Sequence, residues 1–234
     1  VNRLCGSGLQ AIISAAQAIA LGDCEISVGA GAESMSRGPY HVAAMRWGAR
    51  LGDATMVDYT VAALHDPFHK IHMGITAENV AERFGITRAD QDALSAESHR
   101  RAAQAIAEGR FKEQIVPVEI RSRKGMVVFD TDEHVKPSTT VEVLAAMKPA
   151  FRKDGGTVTA GNASGINDGA GAVVLASAAA VQAHGLKPLA RLVAYSHAGV
   201  DPKLMGIGPV PATRRVLARA GLSVADLDVI RSEE

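Results

Sequence analysis

Apolar residues run from Gly8 to Leu21 with few polar interruptions. A segment apolar on all sides predicts a buried helix, and Gly22 supplies its stop. Glu25 to Ala30 reads as a buried strand, and Gly29, Gly31 and the small residues after them predict a tight turn. A third glycine is missing, so no dinucleotide-binding fingerprint forms here. From about Ser36 to Thr159 the pattern becomes mixed as charge, proline and histidine rise. Within this stretch Thr76 is placed to cap a helix reaching Phe84. Thr87 is placed to cap a second helix that carries Gln91, Leu94, His99, Ala103 and Ile106 and stops near Gly109. Gln114–Arg121 and Met126–Asp130 read as strands. The small-apolar run Ala172–Ala176 predicts a return to a core strand, followed by a helix over Ala178–His184, a strand over Leu189–Tyr195, a helix over Pro211–Ala220 and a further strand from Leu227 to Ile230. This alternation predicts a layered α/β fold, and no short-period repeat is present. A long insertion between parts of an α/β core is usually functional.

Composition narrows the picture. The 234 residues suffice for one large domain or two small ones. Hydrophobic residues make up 47% and aromatic ones only 4%, so the core is built from Ala, Val, Leu and Ile. A formal net charge of zero without a long basic run gives no indication of nucleic acid as a partner. No apolar stretch is expected to reach membrane-spanning length, and no signal-peptide pattern is seen. Two cysteines do not make a disulfide framework, which suits a reducing, cytoplasmic setting.

Cys5 stands in Val1-Asn2-Arg3-Leu4-Cys5-Gly6-Ser7-Gly8-Leu9-Gln10-Ala11-Ile12. Glycines on its C-terminal side allow a tight turn and a close approach of substrate. A thiol at a helix N-terminus feels the positive end of the helix dipole, which favours the nucleophilic thiolate, and amides there can stabilise an oxyanion. A structural cysteine in a glycine-rich turn is the alternative. Cys24 has no motif around it and reads as an inert small residue. His65, His69 and His72 are spaced four and three apart, but Pro67 disfavours one helix through them, and no metal site is expected.

A second segment reads Gly156-Thr157-Val158-Thr159-Ala160-Gly161-Asn162-Ala163-Ser164-Gly165-Ile166-Asn167-Asp168-Gly169-Ala170-Gly171-Ala172. Together with the Cys5 segment, Gly31-Ala32-Glu33-Ser34-Met35-Ser36-Arg37, His72-Met73-Gly74-Ile75-Thr76-Ala77-Glu78-Asn79 and Met205-Gly206-Ile207-Gly208-Pro209-Val210-Pro211, it resembles the thiolases, and among them the bacterial short-chain acetyl-CoA acetyltransferases and β-ketothiolases. The likeness runs from Val1 to about Ile230. It implies a thiolase-like layered αβαβα core, incomplete here, with an inserted loop domain. The later part of the N-terminal core domain falls on 1–35 and 160–185, the loop domain covering the coenzyme A site on 36–159, and the start of the C-terminal core domain on 186–234.

The same resemblance implies a transferase that condenses acetyl-CoA with an acyl-CoA to a 3-ketoacyl-CoA, reversibly, through an acyl-cysteine. Cys5 matches the acyl-accepting nucleophile. His72 and Met73 match the pair lining the acyl and pantetheine pocket, Ser164 a pantetheine contact, and Phe151 an apolar residue near the adenine. Leu64 and Met205 match other lining positions, and Ile166 takes a place where leucine is common. Lys136 stands where related thiolases often carry arginine near the nucleotide, which keeps the charge but loses the bidentate fork. Val143 replaces a serine at another nucleotide contact. Coenzyme A and acyl-CoA enter as substrates, no cofactor stays bound, and a homodimer or homotetramer is implied for the complete protein, with no nucleic acid or membrane partner.

The family's proton-transfer histidine lies in a Gly-His-Pro segment, its second cysteine in a Cys-x-Gly-Gly-Gly segment, and an oxyanion-hole asparagine in Asn-Glu-Ala-Phe; the chain carries none of these and reads Arg231-Ser232-Glu233-Glu234 where the last is expected. The chain is therefore expected to be an internal fragment that does not complete catalysis alone and exposes strand edges. A ketoacyl-synthase-type condensing enzyme, a non-catalytic acyl-CoA-binding fragment and a redox-sensing thiol protein are the alternatives. His72-Met73-Gly74 and the Asn162-to-Asp168 motif favour thiolase over synthase.

Overall fold

A glycine track decides where the first helix lies. The structure, a computed structural model, describes residues 1–230; the departure from Asn-Glu-Ala-Phe at Arg231–Glu234 lies outside the described residues. In chain order the elements are α1 (Ser7–Leu21), β1 (Ile26–Ser34), β2 (Tyr40–His41), β3 (Val57–Asp58), α2 (Tyr59–Ala63), α3 (Met73–Phe84), α4 (Arg88–Ala107), β4 (Val118–Ser122), β5 (Gly125–Phe129), α5 (Val141–Ala145), β6 (Asp168–Ala176), α6 (Ala178–Ala183) and α7 (Pro209–Ala220). They divide into two compact units, Val1–Met73 with the chain from Ile166 onward, and Gly74–Gly165.

In the first unit β1 pairs antiparallel with β6, from Ile26 opposite Ala176 to Ser34 opposite Asp168. Side chains alternate between the two faces of a strand, so Gly29 and Gly31 share one face. A Cβ on Gly29 would stand 2.7 Å from Ile12 Cα, and one on Gly31 would stand 3.1 Å from Gly8 Cα. The backbone of α1 thus rests on bare strand backbone, and Ile13 and Ala15 are buried. The tight turn expected at Gly29 and Gly31 is instead continuous strand to Ser34: these glycines make room for a helix rather than for a reversal. Gly22, at φ 82°, caps α1 in the left-handed conformation, as the sequence predicts.

The expectation that no apolar stretch reaches membrane-spanning length needs correction. The 18-residue window Leu4–Leu21 has a mean hydropathy of 1.5 and meets that standard. Its regular helix has 15 residues, which at ~1.5 Å per residue is roughly 22 Å, against about 30 Å for a bilayer core. One face of it is packed on β1.

Two predicted strands, Leu189–Tyr195 and Leu227–Ile230, form no ladder with another strand among the described residues. A strand is defined by its neighbour, and neither has one there. Residues 195–197 are held by side chains. Gln17 donates to the Tyr195 hydroxyl (2.6 Å), Arg219 to the Tyr195 carbonyl (2.9 Å) and Arg215 to the His197 carbonyl (2.6 Å). These bonds join α1 and α7 through the segment between them.

The second unit is built around buried polar side chains as well as apolar ones. Leu144 and Val158 are buried, and so are Thr76, Glu78, Asp92 and Thr159. Thr76 is therefore not a cap; α3 starts at Met73 and takes Thr76 into its buried face. Thr87 does cap α4, through a reciprocal box with Asp90. β4 and β5 form an exposed hairpin, with β4 starting at Val118 rather than Gln114. The helix expected from Pro211 begins at Pro209, and the strand expected at Ala172 begins at Asp168.

Candidate active site

Cys5 stands on a pinned turn immediately before α1. Leu4 has φ 51°, a left-handed conformation that costs a non-glycine residue about 1–2 kcal/mol. Local bonds hold it there. The Leu4 amide donates to Asn2 Oδ1 (3.0 Å), the Gly6 amide to the Arg3 carbonyl (3.1 Å) and the Ser7 amide to the Leu4 carbonyl (3.0 Å). Ser7 Oγ donates to the Leu4 carbonyl (2.7 Å) and accepts from the Arg3 amide (2.8 Å). The chain thus reverses sharply at residues 3–7 and presents Cys5 as an exposed free thiol. Strain of this kind persists only where surrounding contacts over-determine it, and it gathers at functional sites. Gly6 is the residue before the helix, so Cys5 lies one residue outside the helical N-terminus. Cys24 is a second free thiol, partly covered, at the end of the α1–β1 connection.

The loop from Leu64 to Met73 gathers three of the expected lining residues of the first unit. The Met73 amide donates to the Leu64 carbonyl (2.8 Å), and the Asp66 amide donates to the Ile71 carbonyl (2.8 Å). His65 and His72 face each other across this loop as an isolated antiparallel bridge, with rings edge to face at 5.1 Å. His65 Nδ1 lies 2.6 Å from the Val61 carbonyl, which can only accept, so Nδ1 carries the proton. Burial, and secondarily the neighbouring His65, hold His72 below the ordinary histidine range. At pH 7 His72 is a neutral imidazole, suited to hydrogen bonding rather than to pairing an anion. Ile166 and Met205 belong to the same unit and are exposed, Met205 on the short 3-10 segment Pro202–Ile207, which is kinked at Leu204.

Lys136, Phe151 and Ser164 belong to the second unit. The Phe151 ring lies over Gly74, where an added Cβ would overlap Cε2, Cδ2 and Cζ. Ser164 follows a loop clamped by two buried carboxylates. Glu78, 2% exposed, accepts from the Thr157 amide (2.9 Å), the Thr157 hydroxyl (2.8 Å) and the Val158 amide (2.9 Å). Asp92, 1% exposed, pairs with Arg88 (2.7 Å) and accepts from Asn162 Nδ2 (2.9 Å), while Asn162 Oδ1 accepts from the Thr159 amide (2.7 Å). Lys136 donates its amide to His99 Nδ1 (3.2 Å). Val143 takes its amide to the Thr140 cap of α5 (3.3 Å).

The sequence reading passed over this supporting set. Glu78 and Asn162 stand inside quoted motifs without a role, His99 was read only as one position of α4, and Asp92 was not singled out. For Glu78 and Asp92 the signal was faint: acidic residues beside small apolar ones in helices otherwise rich in exposed charge. In the first unit, likewise, Asp168 accepts from the Ser36 hydroxyl (2.5 Å), the Ser36 amide (2.9 Å) and the Ser34 hydroxyl (3.3 Å). It thereby ties two motifs that the sequence separates by more than a hundred residues.

Comparison with known proteins identifies the family and the fold. The family model described as "Thiolase, N-terminal domain" matches residues 1–179, and "Thiolase, C-terminal domain" matches 186–234. The whole chain is 64% identical to a protein named beta-ketothiolase BktB from Cupriavidus necator and covers 59% of it. It is 53% identical to an acetyl-CoA acetyltransferase of Pseudomonas aeruginosa, covering 60% of that protein. The chain thus spans about three-fifths of the length of the curated relatives it matches. Among solved structures, the Bacillus anthracis acetyl-CoA acetyltransferase superposes with a TM-score of 0.94 at 51% identity, over 98% of this chain and 58% of that one. Human mitochondrial 3-ketoacyl-CoA thiolase in complex with CoA superposes at 0.91 and 44% identity, over 98% of this chain and 57% of that one.

Proposed function

Because this chain belongs to the thiolase family and has its α/β fold, we propose that it carries the acyl-accepting and coenzyme A-binding part of an enzyme that interconverts acyl-CoA plus acetyl-CoA with 3-ketoacyl-CoA plus CoA. The observation that carries this reading is the exposed Cys5 on its strained, self-bonded turn before α1. The Cys5 thiolate attacks the thioester carbonyl of an acyl-CoA. The sulfur–carbon bond forms, the CoA thiolate departs and takes a proton, and an acyl-cysteine remains. A deprotonated acetyl-CoA α-carbon then attacks that carbonyl, the new carbon–carbon bond forms, and the Cys5 thiolate leaves.

His72 and Met73 line the pantetheine and acyl end in this reading, with Leu64 beside them through the Met73–Leu64 bond. Ile166 and Met205 add apolar lining, Ser164 contacts the pantetheine arm, and Phe151 and Lys136 serve the nucleotide. Coenzyme A is a substrate, and no resident cofactor is needed. By its likeness to short-chain members of the family the His72-Met73 pair supports short acyl chains, and the name of the Pseudomonas aeruginosa relative, an acetyl-CoA acetyltransferase, points the same way. The working form is a cytoplasmic homo-oligomer.

Incubation with acetyl-CoA followed by peptide mass spectrometry tests this. One acetyl group is expected on Cys5 and none on Cys24. Cys5→Ser in the protein expressed from its gene should lower acetoacetyl-CoA thiolysis by at least ~1,000-fold, the loss expected when a covalent nucleophile is removed. Acetylation confined to Cys24, or wild-type thiolysis by Cys5→Ser, would sink the proposal.

A further inference from the structure

His99 lies on α4, and Lys136 lies in the segment between β5 and α5. The Lys136 amide donates to His99 Nδ1 at 3.2 Å. Because Nδ1 accepts, the ring proton sits on Nε2 and the imidazole is neutral. The Lys136 carbonyl accepts from the Thr139 amide (3.0 Å), and Thr140 then caps α5. α5 is itself anchored, since Arg88 donates to the Leu144 carbonyl (2.5 Å) and the Met147 carbonyl (3.1 Å). On the other side of Lys136, the His134 amide is taken by Asp132 (2.9 Å), a bond local to the segment. The backbone of Lys136 is thus pinned downstream by α5 and sideways by His99, while its side chain is exposed and forms no ion pair among the described residues.

We infer that His99 is a positioning residue, acting in its neutral form, that holds the Lys136 backbone so that the ammonium group can meet a phosphate of coenzyme A. The inference rests on the assignment of Lys136 to the nucleotide. Its logic is that of a single acceptor. Protonated His99 has no lone pair on Nδ1 and would turn an N–H towards the Lys136 N–H. The bond is then replaced by repulsion, and the segment is released.

The surroundings favour the accepting form. Burial lowers the His99 pKa most, followed by the charges of His134, whose ring lies 6.0 Å away, and of Lys136. On its own helix the nearest charges, Glu97, Arg100 and Arg101, are engaged with one another. A direct phosphate ligand would behave oppositely: protonation would add a positive charge and tighten binding at acid pH.

The test compares the protein expressed from its gene with its His99→Gln and His99→Ala variants, in thiolysis assays between pH 5.5 and 8. A glutamine side-chain oxygen can accept the Lys136 amide at every pH. Loss of one hydrogen bond corresponds to roughly a fivefold change in affinity. The KM for CoA in the parent protein should therefore rise about fivefold, relative to His99→Gln, as pH falls through the His99 pKa. The pH profile of kcat should run parallel in the two. His99→Ala should show the weakened KM already at pH 8. Amide hydrogen exchange of the 130–137 peptide, measured without CoA, provides the second readout. It should quicken beyond the intrinsic pH trend in the parent below that pKa, and not in His99→Gln. Exchange that does not respond overturns the proposal at His99 itself. Exchange that responds while the KM does not overturns it through its premise, the Lys136 assignment. A KM that falls on acidification makes His99 a phosphate ligand and overturns the positioning role.

Discussion

Two glycines show how single atoms decide this site. Gly29 has the Ile12 backbone where its Cβ would be, at 2.7 Å from Cα and 3.0 Å from N, so the contact cannot be relieved by a side-chain rotation. Gly29→Ala must lift α1 from β1, and α1 carries the Cys5 turn at its head. We expect a loss of ~3 kcal/mol or more in unfolding free energy, the upper end of overpacking effects, read by urea titration. Thiolysis should fall at temperatures where the protein is still folded. Gly74 differs, because its neighbour is the Phe151 ring. Gly74→Ala should cost about 1–3 kcal/mol and raise the KM for CoA, since the displaced ring is the one assigned to the adenine end. Unchanged stability in Gly29→Ala would mean that α1 does not rest on β1. Cys5 stood out as a candidate in the sequence because two glycines follow it directly ahead of an apolar run. The left-handed Leu4 was not, because leucine carries no mark of that conformation; it is imposed by the bonds of Asn2, Arg3 and Ser7.

Between elements, the structure uses buried carboxylates as fasteners. Glu78 on α3 grips Thr157 and Val158, and Asp92 on α4 grips Asn162, so both helices hold the loop that leads to Ser164. Glu78→Ala would leave the Thr157 and Val158 amides without their acceptor, and Asp92→Ala would take the carboxylate from Arg88 and one of two acceptors from Asn162; a penalty of roughly 1–3 kcal/mol is expected, larger for Glu78→Ala. Thermal unfolding should show the loss. The isosteric Asp92→Asn, which keeps an acceptor for Asn162 but not the Arg88 pair, should fall between it and the parent. At the end of β6, Asp168 gathers the Ser36 hydroxyl and amide and then the Ser34 hydroxyl, and these bonds hold its carboxyl below the usual aspartate range. The sign follows from linkage: the unfolded chain binds the proton more readily, so the contribution is full above the unfolded pKa of about 3.9. It is lost as pH falls through the lowered folded value. Replacing Ser36 by Ala removes the hydroxyl but not the amide, and should shrink that part of the acid dependence in unfolding measured against pH. Helices with explicit signals, α1 with Gly22 and α4 with Thr87, were readable in advance. Thr76 was misread because an N-cap and a buried helical threonine look alike in sequence, and only the start of α3 at Met73 separates them. The failed strands at Leu189–Tyr195 and Leu227–Ile230 share another cause: a β pattern states which face is apolar, not which neighbour completes the ladder.

At the scale of the molecule, the β1–β6 pair is apolar on both faces, and α1 covers only one. Opposite the glycine track stand Ile26, Val28, Ala30 and Ala32, paired with Ala176, Val174, Ala172 and Ala170. Val28 is 60% and Val174 69% exposed in this chain. Two strands alone are marginal in water, and an open apolar face with free edges is an association surface. Further chain or a partner seated on this face would give the same residues a different environment. One pair of substitutions separates the environments. In the 234-residue chain, Val28→Lys on an exposed face should change stability by no more than about 0.5 kcal/mol and should reduce concentration-dependent association in sedimentation velocity. In the protein expressed from its gene, a covered face would make the same lysine an unpaired buried charge, and the melting temperature should then fall by at least ~5 °C, the shift that follows from a loss of several kcal/mol. Val28→Thr, nearly the same volume with a hydroxyl, should show the same contrast at smaller size. Equal and small effects in both contexts would mean that this face is solvated in the working protein. The layered core implied by strand–helix alternation would then end at β1 and β6.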